Sequence, residues 1–272
     1  MEALNQNETE LFLEAIYRQY GYDFSNYARA SLNRRIKEVQ RICQVKEISE
    51  MIPLVFHDKN FIEQVLRIFS ITVTEMFRDP EVFLAIRENV LPYLKTYPYI
   101  KVWHAGCATG QEVYSTAILL AEEEMFDKST IYATDFNQQA LTAAKQGIYN
   151  LKEIKKYTEN YQKAGGKKSF SEYYHSKYEA VIMNQALKQQ LVFAHHNLTA
   201  DSVFTETHMI LCRNVMIYFN KELQERVLQL FTDSLQINGF LIIGNRESLE
   251  FSSVAQHYKI VDKKNKIYQK IR

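Results

Sequence analysis

A turn of sequence AGCATG, residues 105–110, constrains this chain more than any other stretch. It follows a short hydrophobic strand around Val102 and Trp103. After it come Val113, Ala117, Leu120 and Ala121 at the three- and four-residue steps of a helix. A second apolar segment, residues 131–133, then ends in Thr134-Asp135, and Asn137 can cap a helix containing Ala140, Leu141 and Ala144. Strand, glycine turn, helix and second strand make a βαβ unit, which predicts an α/β domain with a parallel sheet and an acid at the second strand's end.

The turn also limits the ligand. Gly106 and Gly110 let the backbone bend tightly and approach a bound molecule, while Asp135 can accept both hydrogen bonds of a ribose diol. The dinucleotide fingerprint GxGxxG is absent, because three residues separate the two glycines. The pattern therefore favours an adenosine-bearing cofactor without a pyrophosphate, such as S-adenosylmethionine. An ordinary α/β turn that contains two glycines is the plainer alternative.

Net charge narrows the partners. With 33 basic against 32 acidic residues, no global attraction to nucleic acid or a membrane surface is expected. Cys43, Cys107 and Cys212 are odd in number and form no CxxC pair, so buried thiols in a reducing compartment are expected rather than a disulfide or zinc site. No metal site is expected at His195 and His196 either, since adjacent strand residues face opposite sides. The amino terminus is acidic and polar, and no apolar run approaches the ~18 residues of a membrane span. A cytoplasmic monomer is expected.

Ahead of the turn the pattern is helical. Thr9 precedes an amphipathic series that Gly21 stops, and Ser25 opens a second helix running to about Val45. The second carries Arg29, Arg34, Arg35, Lys37, Arg41 and Lys46 against one acid, Glu38: a solvated face, or a docking surface for an acidic partner. Further helices are predicted at residues 48–56 and 60–69, giving a helical domain over residues 1–75 with its linker. Asp79-Pro80 then reads as a cap with proline at the first helical position, opening the domain of residues 76–272.

Beyond Gly147, residues 148–190 read as a β insertion whose Phe170, Tyr173, Tyr174 and Tyr178 form a miniature core or grip a peptide by strand addition. Residues 191–198 and 209–214 are strand-like, with polar ends where a parallel sheet presents its carboxyl edge. Asn220 caps a helix with Leu223, Val227, Leu230, Phe231 and Leu235, closed by Asn238-Gly239, and residues 257–271 form a closing antiparallel hairpin.

Five ordered motifs over residues 70–245, ITVTEMFRD, VWHAGCATGQEVYS, ATDFNQQALTAAKQGIY, HHNL and ILCRNVMIYFNKELQ, resemble those of the CheR-type chemoreceptor methyltransferases. The helical amino-terminal region fits as well. The resemblance implies a Rossmann-like S-adenosylmethionine-dependent methyltransferase sheet with a small β insertion, preceded by an all-helical domain. It implies methyl transfer to receptor glutamates, giving glutamate methyl esters and S-adenosylhomocysteine in chemotaxis-type adaptation. Residues matching the family's cofactor contacts are Thr72, Thr74, Arg78, Glu112, Asp135, Asn197, Leu198, Arg213 and Asn214, and Arg78 and Tyr218 match those beside the transferring methyl. Thr72 stands where an asparagine is common, and GQEVYS replaces the usual GEEPYS.

The resemblance also gives Arg34, Arg35 and Lys37 a receptor-docking role, and the insertion occupies the position where some members dock a receptor-tail peptide by strand addition. Two rivals stay open: a methyltransferase of the same fold acting on another substrate, and a non-catalytic signalling scaffold. RNVMIYF in place of an NPPY-like segment speaks against base methylation.

Overall fold

A computed structural model describes residues 4–70 and 72–272. The chain divides into two compact units, Met1–Ile71 joined by Ile217–Arg226, and Thr72–Met216 with Val227–Arg272.

Among the described residues of the first unit's amino-terminal part are the helices α1 (Gln6–Tyr20), α2 (Arg29–Cys43), α3 (Ile52–His57) and α4 (Lys59–Phe69). Phe12, Ile16, Ile36, Val39, Val55, Phe61 and Val65 fill their centre. The ends follow local chemistry. Asn5, rather than the region of Thr9, caps α1 by accepting the Asn7 amide at 3.1 Å, and Thr9 turns its hydroxyl back onto the Asn5 carbonyl at 2.8 Å. Gly21, at φ 77°, closes the helix as its spacing predicts.

Helix α2 starts at Arg29 and not at Ser25. The reason is a partner distant in sequence: Tyr27 pairs antiparallel with Phe219, the Ala28 N–H donates to the Tyr218 carbonyl at 2.8 Å, and the Asn220 N–H donates to the Asn26 carbonyl at 2.9 Å. Residues 26–28 are thus committed to a short ladder before the helix can begin. Arg34 is exposed on α2 while Arg35 is buried, so the expected basic face loses Arg35.

The second unit opens with α5 (Pro80–Asn89) and α6 (Leu91–Leu94) and is centred on a seven-stranded sheet. Its strands are β1 (Ile100–Ala105), β2 (Ser129–Asp135), β6 (Leu191–His195), β7 (Thr207–Cys212), β8 (Leu235–Ile243), β9 (Tyr258–Asp262) and β10 (Ile267–Lys270). The order is β6-β2-β1-β7-β8-β10-β9. The first five run parallel, and the last two form the expected antiparallel hairpin. Helices α7 (Gln111–Glu122), α8 (Gln138–Gln146) and α10 (Lys221–Ser234) connect strands. This is the Rossmann-like arrangement, and its strand order reverses between β1 and β7, where such sheets hold ligands at their carboxyl ends.

The insertion is a three-stranded antiparallel sheet, β3 (Ile148–Asn150), β4 (Tyr174–Lys177) and β5 (Ala180–Met183), with helix α9 (Ile154–Lys163). Phe170 and Tyr173 do not form a separate miniature core but join that of the main sheet, Phe170 meeting Phe77 at 6.4 Å between ring centroids, whereas Tyr178 is exposed. Asn238-Gly239 does not close α10, which ends at Ser234. Thr207 faces Leu235 but Met209 faces Phe240, so β8 carries extra residues between them, and Asn238 adopts a φ of 67° there. No helix among the described residues is long and apolar enough to cross a membrane.

Candidate active site

Both glycines of the turn are required by their surroundings. Gly106 has φ 79°, and a Cβ there would meet Val215 Cγ2 at 2.7 Å. Gly110 has φ 88°, and a Cβ would meet the Ala144 Cβ at 2.8 Å. Between them Ala108 holds a left-handed φ of 49°, which aims its N–H at Asp135 Oδ2, 2.9 Å away. Asp135 Oδ1 accepts the Asn137 N–H at 2.9 Å. Burial raises the Asp135 pKa, and backbone N–H groups of Asn137, Ala108 and Phe136 oppose the rise. An ionised carboxylate has about four acceptor positions, so with these three backbone donors about one remains for a ribose hydroxyl. Asn137 caps α8 as its position predicts.

A second group of residues is tied together by charge. The Arg213 guanidinium, with no exposed side-chain surface, donates to Glu112 Oε2 at 2.6 Å, Asp79 Oδ2 at 2.7 Å and the Arg78 carbonyl at 3.1 Å. Only its Nε lacks a partner. Arg213 therefore acts on the loop and on Glu112, and those contacts engage both of its terminal nitrogens. Glu112 also meets His104 Nδ1 at 3.3 Å. Burial pushes Glu112 up, but the Arg213 charge and the His104 contact outweigh it and hold its pKa at about 2.

Residues 72–79 form the wall that carries Thr72, Thr74 and Arg78, all half-buried. Phe77 and Asp79 have φ values of 50° and 53°, conformations that persist only where the surroundings enforce them. The enforcement is visible: Phe77 N–H donates to Ser115 Oγ at 2.8 Å, Asn160 Nδ2 donates to the Met76 carbonyl at 3.0 Å, and Arg213 grips the far end. Asp79 precedes the helical proline, but its carboxylate turns to Arg213 and makes no cap hydrogen bond. Among the described residues the Arg78 side chain makes a long 3.5 Å contact to the Val73 carbonyl.

Asn214, at φ 61°, follows β7. A Cβ at Gly244 would strike its backbone nitrogen at 2.8 Å. Below it lies buried Glu247, a residue the motifs leave unmarked. Its carboxylate accepts the Val215 N–H at 3.0 Å and the Gly244 N–H, with further backbone donors at Met216 and Asn214. Burial raises its pKa against those bonds. The one sequence signal is an acid three residues past Gly244, close enough to fold back onto the strand end. His104 was likewise unmarked.

Asn197 is buried and uses its Oδ1 on Thr199, accepting the backbone N–H at 3.0 Å and the hydroxyl at 2.8 Å; Leu198 is buried beside it. Thr72, Thr74, Arg78, Glu112, Asp135, Asn197, Leu198, Arg213 and Asn214 all belong to the second unit, whereas Tyr218 belongs to the first.

The family model described as "CheR methyltransferase, SAM binding domain" matches residues 72–267, and that described as "CheR methyltransferase, all-alpha domain" matches residues 7–70. The chain belongs to the CheR methyltransferase family. It is 48% identical over 263 residues, covering 97% of this chain and 96% of the other, to a Pseudomonas putida protein named "Putative methyltransferase Cher3". It is 26% identical over 274 residues, 96% of both chains, to Chemotaxis protein methyltransferase 1 of Pseudomonas aeruginosa. Among solved structures, TehB from Haemophilus influenzae matches at 10% identity over 68% of this chain and 62% of its own, with a TM-score of 0.38.

For a CheR-family chain the cofactor is S-adenosylmethionine, and the site's chemistry fits it. Asp135 keeps an acceptor position for a ribose hydroxyl, and the Glu112 carboxylate stays ionised to low pH.

Proposed function

We propose that this chain is a protein-glutamate O-methyltransferase of chemoreceptor-type proteins. It makes glutamate methyl esters and S-adenosylhomocysteine for adaptation in chemotaxis-type signalling. The observation that carries the reading is the ionic hub of Arg213, Glu112 and Asp79, which fixes the Arg78 wall beside the carboxyl ends of β1 and β7.

When bound, S-adenosylmethionine supplies a methyl carbon activated by a sulfonium. A substrate carboxylate would accept that methyl group, leaving a neutral ester and a thioether. A glutamate has a pKa of about 4.3 and is already ionised at neutral pH, so no general base is needed. The protein's work is alignment and exclusion of water, worth up to roughly 7 to 11 kcal/mol in favourable cases. Asp135 would hold the ribose, and Glu112 would offer its negative charge to the amino group of the cofactor's tail. Thr72, Thr74, Asn197, Leu198 and Asn214 line the remaining contacts. Arg78 orients charged groups through its planar fork, and Tyr218 fixes the reacting geometry through its hydroxyl. Arg213 serves by positioning Arg78 and Glu112.

The substrate side is the cytoplasmic region of a chemoreceptor or a similar acidic helical protein. Exposed Arg34 and half-buried Lys37 of α2 support a docking face, and the β insertion offers a strand edge. The chain acts as a cytoplasmic monomer without nucleic-acid substrates.

Incubation with methyl-labelled S-adenosylmethionine and receptor fragments tests the reading. Base-labile label on protein is expected; label on nucleic acid, or cofactor binding without turnover on every fragment, overturns it. Tyr218→Phe should lower turnover about tenfold, the loss of one hydroxyl hydrogen bond. Asp135→Ala should weaken S-adenosylhomocysteine binding by about 1 to 3 kcal/mol in calorimetry.

A further inference from the structure

Arg35 is the least compensated charge that the described residues bury. It sits on α2 at 3% exposure, and Nε, Nη1 and Nη2 all lack hydrogen-bond partners. Among the described residues no carboxylate acts on it, and burial lowers its pKa. What it touches is aromatic: its Cζ lies 4.6 Å from the Tyr218 ring centroid and 5.5 Å from that of Tyr27. The planar, weakly hydrated guanidinium is the cation best suited to such stacking.

The same unit holds the backbone of Tyr218. The Ala28 N–H donates to its carbonyl, Tyr27 bridges to Phe219, and Asn220 is bonded to Asn26 through both backbone and side chain, the latter at 3.1 Å. The rings of Tyr27 and Phe219 meet edge to face at 5.3 Å. Backbone and ring of Tyr218 are therefore both set by residues 26–35.

We infer that Arg35 is a positioning residue, which fixes the Tyr218 ring by stacking on its face. This inference rests on the function proposed for Tyr218, and it removes Arg35 from the docking face. A docking arginine must meet a receptor carboxylate, whereas this one is enclosed between two rings.

The test uses the full chain carrying tyrosine labelled with ¹³C at Cζ, with the Tyr218 resonance assigned by its loss in Tyr218→Phe. In Arg35→Met, which removes a buried charge without shortening the side chain drastically, that resonance should move or broaden. Turnover should fall about tenfold, as in Tyr218→Phe, while KM for receptor and affinity for S-adenosylhomocysteine stay within about twofold. Added to Tyr218→Phe, the second change should alter turnover by less than about twofold, because residues acting as one unit do not add. Arg35→Lys, which keeps charge but not the flat face, should restore less than half of the loss.

An unmoved Tyr218 resonance in Arg35→Met overturns the inference whatever the activity. So does a rise in receptor KM with unchanged turnover, which is the signature of docking. If Tyr218→Phe transfers methyl groups like the parent, the proposed function of Tyr218 falls instead, and the resonance still reports whether Arg35 holds the ring.

Discussion

Two buried arginines in this chain are held in opposite ways. Arg213 has two carboxylates and a carbonyl around its guanidinium; Arg35 has two aromatic faces and no anion. Burying a guanidinium is costly, and attraction to well-placed acids offsets the cost only when the geometry satisfies both partners. Arg213 meets that condition and, by doing so, makes Glu112 and Asp79 depend on it. Arg35 creates no such dependants. One arginine is therefore a structural keystone among charges, and the other is a support for a single ring that its own unit could replace with a neutral side chain.

The sharpest way to break the comparison is to remove Arg213. In Arg213→Met, Glu112 and Asp79 lose their cation in a partly buried setting, and the loop carbonyl of Arg78 loses its donor. A loss of about 3 to 5 kcal/mol in unfolding free energy is expected in urea titration. A loss below about 1 kcal/mol would show that the acids relax into water and that the hub contributes little.

Acid titration sharpens the same contrast. Glu112 has a folded pKa of about 2 against an ordinary 4.5, so it stabilises the fold fully above pH 4.5. That contribution, on the order of 3 kcal/mol, is lost as pH falls through the folded value. Stability should therefore decline between about pH 4.5 and 2, and Arg213→Met should show a smaller share of this decline. Arg35 has no acid partner, so Arg35→Met should follow the parent curve through this window. The check is unfolding free energy measured across the pH range in parent and both variants.

The comparison also explains what the sequence could reveal. Gly106, Gly110 and Asp135 act within one βαβ unit, where local spacing carries the information, and Asn137 and Asn220 cap helices that begin next to them. The sheet class follows from the same short-range patterns. Arg213 reaches Glu112 across 101 positions and Asp79 across 134, and no spacing rule links them. The start of α2 differs from its sequence signal at Ser25 for the same reason, because its determining partner, Asn220, lies 194 residues from Asn26. Asn238-Gly239 resembled a helix stop because those residues favour left-handed backbone, which a bulge in β8 also requires. In the sequence Arg35 is one basic residue among several on α2, and charge patterning alone cannot distinguish a solvated arginine from one stacked on rings.

The smallest expected effect separates the two arginines most cleanly. Arg35→Met removes stacking worth roughly 0.5 to 2 kcal/mol per ring when desolvated, and also removes the cost of keeping an unpaired charge out of water. These terms have opposite signs and similar size. Methionine is flexible enough to fill the slot between Tyr27 and Tyr218 and makes its own favourable contacts with aromatic rings. Unfolding free energy should therefore stay within about 1 kcal/mol of the parent, in either direction. Urea titration at neutral pH decides it. A loss of 3 kcal/mol or more would mean that Arg35, like Arg213, has charged or polar dependants. The two arginines would then differ in the partners they recruit but not in how the fold relies on them.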